Sequence, residues 1–327
     1  MRFSELASFD VAHSHLSWPW LSFDASGTRF AFFSSTTTVA TRVLDGERVS
    51  EGPSFTLPAD LGDEVRAFAL GAAGSLVAFA GPSVIATEAA RTTIESLAGA
   101  GFTNRALAFD RSGSRLWISA ESDKETALVL VDARSLALIG VVRSAAFPPP
   151  AMHELMVHPV DDAVLLLAAC GEEGSFARVA GWAGDVVSAV PTALDSGGIP
   201  AGFVGFSANG THVHLVEADE LRTHAWPGLE ELSSVELADD FVSSFAGVVL
   251  GDRILVDGQD AESGDDQLMT FDRSAIVGEL VYDDIPSGMW AGRLGTDAIV
   301  TVASKGEPAP GRVVRVGTRE GDVRLSG

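Results

Sequence analysis

Seven histidines and a single cysteine are the residues from which this chain could build acid–base, nucleophilic or metal chemistry. His13 and His15 are two apart, so on a strand they would share a face and could hold a metal beside a nearby carboxylate. The spacing fixes no third ligand, and contact within a loop or with a partner is the plainer use. His153-Glu154, with His13, Arg66 and Arg105, form a pool from which a hydrolase could draw a converging His, Glu and Arg. No Gly-x-Ser-x-Gly elbow or other nucleophile signature accompanies them. His158-Pro159 is expected in an exposed hairpin turn, and His212 and His214 on a solvated or interblade side of a strand. The loop DGQDAESGDD (257–266) has the carboxylates and glycines of a calcium loop. It lacks the spacing and the closing Glu of such a loop, and reads as a solvated hairpin. Asp239-Asp240 and Asp283-Asp284 are paired carboxylates suited to a cation or an Arg/Lys-rich segment. Cys170 alone permits neither an internal disulfide nor a thiolate zinc cage, and it fits a reducing cytoplasm. No cofactor is implied.

The elements that must position these residues follow from a recurring phrase. Residues 197–216 read GGIPAGFVGFSANGTHVHLV: a strand, a tight polar turn and a second, alternating strand. Related phrases stand at WLSFDASGTRFAFFS (20–34), AFALGAAGSLVAFAG (67–81), ALAFDRSGSRLWISA (106–120), LMVHPVDDAVLLLAA (155–169), VGFSANGTHVHLVE (204–217), FAGVVLGDRILVDG (245–258) and MWAGRLGTDAIVTVA (289–303). A spacing of about 40–50 residues with strands alone indicates propeller blades of four strands. Further strand pairs are expected around 127–142 and 268–281. Segment 86–98, ATEAARTTIESLA, is the one stretch with helical character, and blade spacing argues for a strand pair there. The expected fold is all-β: a seven-bladed β-propeller of four-stranded antiparallel blades, one domain over 1–327. ELASFDVA near the N-terminus is expected to complete the last blade beside GRVVRVGT (311–318), with DVRLSG (322–327) competing for that place.

The segments LVLVDARSLALIGVV, LMVHPVDDAVLLLAA and IPAGFVGFSANGTHVHLV resemble the YVTN and WD-repeat-like β-propeller group. The Gly-His…Trp-Asp signature of true WD repeats is missing. The resemblance covers most of the chain and implies architecture; such propellers include binding platforms, lactonases and electron-transfer subunits. A sugar-lactonase-like hydrolase, drawing on His13, His153, Glu154, Arg66 and Arg105, is therefore the alternative to a binding role.

Blade register sorts the loops by face. Interblade loops and second-to-third-strand loops share one end, and the other hairpins share the opposite end. The first set carries a large share of the acids and few bases, together with Trp18, Trp20, Phe147, Met152, Tyr282 and Trp290. The other set carries Arg48, Arg134, Arg273 and Arg319. A net charge of −23 disfavours nucleic acid and anionic membranes and favours basic partners. No apolar run is long enough to span a membrane, and MRFSELASFDVAHSH has no signal-peptide pattern, so a cytoplasmic location is expected. The expected function is a non-catalytic platform or accessory subunit that binds another protein. Trp18, Trp20, Phe147, Tyr282 and Trp290 would anchor the partner, with Asp239, Asp240, Asp283 and Asp284 steering it. The tryptophans at 18, 20 and 290 are expected on the same face as Asp239 and Asp283.

Overall fold

The computed structural model describes residues 2–12, 21–59, 61, 65–149, 151–183, 186–193, 201–217, 219–251, 253–264, 266–272, 276–281, 292–302 and 309–317. They form seven four-stranded antiparallel sheets. In six of them the strands pair in chain order; the third blade, for example, runs Thr103–Phe109, Arg115–Glu121, Glu125–Asp132 and Leu138–Ala145. The seventh is closed across the chain. The N-terminal strand Arg2–Val11 pairs antiparallel with Ala309–Gly317 and becomes the outer strand of the last blade, as the sequence suggested. Residues 322–327 lie outside the described residues. First strands of neighbouring blades meet at the junctions of blades one to four and of blades five to seven, and that of blade seven, Gly292–Leu294, reaches that of blade one, Leu21–Phe23.

The core is divided between the blades. Seven apolar clusters occupy the seven interfaces between adjacent sheets. Each blade therefore needs strands that are apolar on both faces. The second strand of blade four, Ala163–Ala169, reads AVLLLAA for that reason. Val164, Leu166 and Ala168 pack toward blade three, while Leu165 and Leu167 pack toward blade five.

The recurring turn has a local cause. In blade three the Asp110 carboxylate accepts Arg115 N–H at 3.1 Å and pairs with the Arg115 guanidinium at 3.0 Å, while Ser112 Oγ donates to it. Asp24 does the same in blade one with Arg29 and Ser26. Gly113 follows at φ +69°, and a Cβ there would meet Ala72 N at 2.7 Å, so the turn requires glycine on two counts. Segment 86–98 is part strand, part helix. The strand pair expected over 86–98 stands earlier, as Val84–Ala86 with Arg91–Thr93, and Ile94–Ala98 is helical instead, with Thr93 Oγ1 accepting Ser96 N–H.

Candidate functional site

The interblade-loop end of blades three and four gathers the titratable groups. Antiparallel pairing places the start of Thr103–Phe109 beside the end of Arg115–Glu121, which brings Arg105 to Glu121. The Arg105 guanidinium lies 3.2 Å from Glu121 Oε2. From blade four, His153 on the first strand, Met152–Val157, brings Nε2 to 3.7 Å from Glu121 Oε1. That is an electrostatic approach, longer than a hydrogen bond. The other ring nitrogen, Nδ1, shares a 2.6 Å hydrogen bond with Ser119 Oγ. Burial raises the Glu121 carboxyl, but the His153 ring, the Arg105 guanidinium and the Phe147 backbone N–H outweigh it, and Glu121 stays below the usual carboxylate range. Cys170 sits nearby, 1% exposed. Burial, then the charges of Glu121 and Glu173, push its thiol up to about 11, which suppresses the thiolate.

Serine, histidine and carboxylate in sequence are the parts of a hydrolytic relay. Here the His153 side chain is 0% exposed and Ser119 is buried, so no substrate reaches either group. The arrangement locks blade three to blade four. Of the proposed hydrolytic pool, Arg105 and His153 meet through Glu121. Arg66 is exposed before the first strand of blade two, its N–H bonded to Ala80 O at 2.7 Å. Strand alternation turns Glu154 to the opposite face from His153, the side on which Met156 packs toward blade five. Glu154 is half-buried and without a hydrogen-bond partner among the described residues, and burial pushes its carboxyl up to about 7. His13 and His15 lie outside the described residues.

The expected docking residues divide similarly. Asp239 and Asp240 are exposed in the turn leading to the first strand of blade six. Trp18, Trp20, Tyr282, Asp283, Asp284 and Trp290 lie outside the described residues, and with them the expected shared face of the tryptophans and the aspartates. Phe147 is no exposed anchor. It is 4% exposed, meets the His153 ring edge-on at 5.4 Å and carries the Arg178 guanidinium at 5.0 Å. The Pro-rich segment that suggested an open loop instead folds its one aromatic into the interface of blades three and four. In the described loops at this end, Asp123, Glu173, Asp219, Asp239, Asp240 and Glu262 are exposed, and the basic residues are Arg66 and Lys124. Met152, 62% exposed, is the most open large apolar side chain there. At the opposite end Arg48 and Arg134 are exposed as expected, but so are Asp45, Glu47, Glu88, Asp161, Asp162 and Glu230, so that end carries both signs. Arg273 and Arg319 lie outside the described residues.

His158 overturns its expected exposure. It is 1% exposed although Pro159 and Val160 beside it are open. Its Nδ1 accepts Asp161 N–H at 2.7 Å and Val160 N–H at 3.3 Å, which leaves the proton on Nε2 to donate to Gly210 O at 2.7 Å. Gly210 stands at φ +72°, and a Cβ there would strike the ring at 2.5 Å. His214 bonds Thr223 Oγ1 at 3.0 Å. Burial, then the neighbouring rings of His212 and His224, push His214 down to about 4. In the acidic stretch 257–266, Asp257 accepts from Ser244 Oγ, and Asp260 caps the N–H groups of Glu262 and Ser263. Sequence reasoning passed over Glu121, Trp182 and Trp226; an acid closing the apolar run LWISAE was the available signal for the first.

No protein-family model matches the chain, and no curated protein matches it in sequence. In three dimensions it is similar to 796 chains of known structure. One is BBS1N, in a crystal structure in complex with ARL6DN soaked with mercury, at 13% identity and a TM-score of 0.58, over 96% of this chain and 97% of that one. At that identity the likeness establishes architecture alone: the chain folds as a seven-bladed β-propeller.

Proposed function

We propose that this protein is a non-catalytic interaction platform, or the accessory subunit of an assembly, that binds a partner protein through its interblade-loop end. The observation that carries this reading is the set of exposed acids in the described loops there, against Arg66 and Lys124. The chain-wide charge of −23 adds long-range attraction for a basic surface. The sealed relay of Ser119, His153 and Glu121 favours binding over hydrolysis at this end. BBS1N, a propeller of the same architecture, is a protein solved with a protein partner. Asp239, Asp240, Asp283 and Asp284 would steer the encounter, and Trp18, Trp20, Tyr282 and Trp290, with Met152, would anchor it.

The test is affinity capture from the native host at low and high salt, with the wild-type chain beside an Asp239→Asn/Asp240→Asn/Asp283→Asn/Asp284→Asn variant, read by mass spectrometry. A stoichiometric protein retained at low salt by the wild type and released both by salt and by the variant is the expected result. The same protein retained equally by both chains at both salts would overturn the acidic docking end.

A further inference from the structure

The first strands of the blades line the central channel of a propeller. Those of blades four and five, Met152–Val157 and Ala201–Phe206, make less contact than any other neighbouring pair in this ring. A seam is left at that junction on the channel side. Strand pairing without a bulge puts Met152, Glu154 and Met156 on the same side of blade four, opposite Ala169, Leu167 and Leu165. That side faces blade five, from which Phe203, Val213 and Leu215 join the same apolar cluster. Met152 is 62% exposed at the interblade-loop end, Met156 is buried, and Glu154 stands between them, half-buried. The seam therefore runs from an open thioether, past a carboxyl, to a closed apolar floor.

The carboxyl has no counter-charge. Arg105 and Arg178 are committed on the blade-three side, to Glu121 and over the Phe147 ring. On the third strand of blade five, Arg222 and His224 pair with Leu215 and Val213, so they stand on the side facing blade four. Arg222 is held by Glu220 and Glu231, and His224 Nδ1 donates to Leu229 O at 3.1 Å. No hydrogen bond or ion pair reaches Glu154 among the described residues. Burial alone acts on its carboxyl and pushes it up to about 7.

We propose that this seam takes one lysine side chain of the partner protein, its methylenes along Met152 and its ammonium on the Glu154 carboxylate. The inference rests on the reading of this end as the docking end and names the group that enters it. A half-buried carboxylate among apolar side chains is costly while ionised and unpaired, so a cation that covers it is favoured. Unbranched, polarisable methionines conform to an aliphatic stem. A single carboxylate suits an ammonium, whose other N–H groups turn to solvent. A guanidinium would instead bring five fixed donors against a wall of Met, Leu and Phe. The net charge of −23 favours a basic partner.

The test uses the full chain labelled with ¹³C at the methionine methyls and titrated with N-acetyl-lysine methylamide at pH 8, where Glu154 is ionised. Met152→Leu and Met156→Leu assign the two signals, and the buried Met269 reports the fold. Saturable shifts at Met152 and Met156 are expected, with binding weakened about tenfold or more in Glu154→Gln, which keeps the side chain's shape. N-acetyl-norleucine methylamide, which has the stem without the charge, should leave both signals in place. Met152→Ala is the second variant; it leaves the carboxyl untouched and should weaken binding in the same direction, read at Met156. No saturable shift at either methyl, equal binding of the norleucine amide or of N-acetyl-arginine methylamide, or undiminished binding by Glu154→Gln or by Met152→Ala would each overturn the lysine seam. Because no partner is used, such a failure leaves the docking end to be judged by the capture experiment.

Discussion

The strand Met152–Val157 has a buried histidine at each end, and the two are used differently. At the interblade-loop end, His153 approaches Glu121, which Arg105 also neutralises, and Ser119 holds the other nitrogen. Charges there are satisfied within the protein, and the ring is sealed. At the hairpin end, His158 gives both nitrogens to backbone groups and one face to Trp226. Nothing among the described residues neutralises the two aspartates beside it. A buried charge must be paired, whereas an exposed one is available to a partner. One end therefore fixes blades three and four, and the other fixes blades four and five while its two exposed carboxylates have no lysine or arginine partner among the described residues.

The comparison breaks most visibly at His158. Replacing it with alanine strips two backbone N–H groups of an acceptor, the Gly210 carbonyl of a donor and Trp226 of its stack; a loss of about 2–4 kcal/mol is expected in denaturant unfolding. Unchanged stability would mean that the His158–Trp226 stack does not hold the interface. Glu121→Gln keeps shape and removes charge at the sealed end, for an expected loss of about 1–2 kcal/mol at neutral pH. Because the folded carboxyl is depressed, its contribution is present above the ordinary value of 4.5 and fades as pH falls through the lower folded value, so the variant should show a flatter acid limb.

Glu154 has the opposite sign. Its carboxyl rises from 4.5 to about 7 in the fold, so stability is full below 4.5 and declines as pH rises through about 7. Glu154→Gln should gain about 1 kcal/mol at pH 8, the figure being discounted for partial exposure, and remove the decline. Thermal unfolding across that range checks it. The smallest effect is kinetic: Cys170, buried with its thiol raised, should react with a disulfide reagent at pH 8 about a hundredfold more slowly in the folded chain than in denaturant. Rapid labelling of the native protein would show that the loop end opens.

The architecture was legible because its causes are local. Asp110-Arg-Ser-Gly carries its own caps, and the runs apolar on both faces, such as AVLLLAA, announce burial between two sheets. The sites were less legible because their partners come from other blades. Nothing near His158 in the chain foretells Gly210 O, which lies 52 residues on, so a His-Pro turn read as exposed. Phe147 in a Pro-rich loop looked like an anchor until His153 and Arg178 covered it. Arg105 and His153 were singled out from sequence, but the acid that joins them, Glu121, was not.

The docking claim is tested most directly by hydrogen–deuterium exchange of the full chain with and without the protein partner recovered by capture. The account predicts slowed exchange in the interblade-loop segments, above all those spanning residues 122–125 and 237–241, with the outer strands of the blades unchanged. Protection confined to the outer strands, with those loops exchanging as in the free chain, would contradict it.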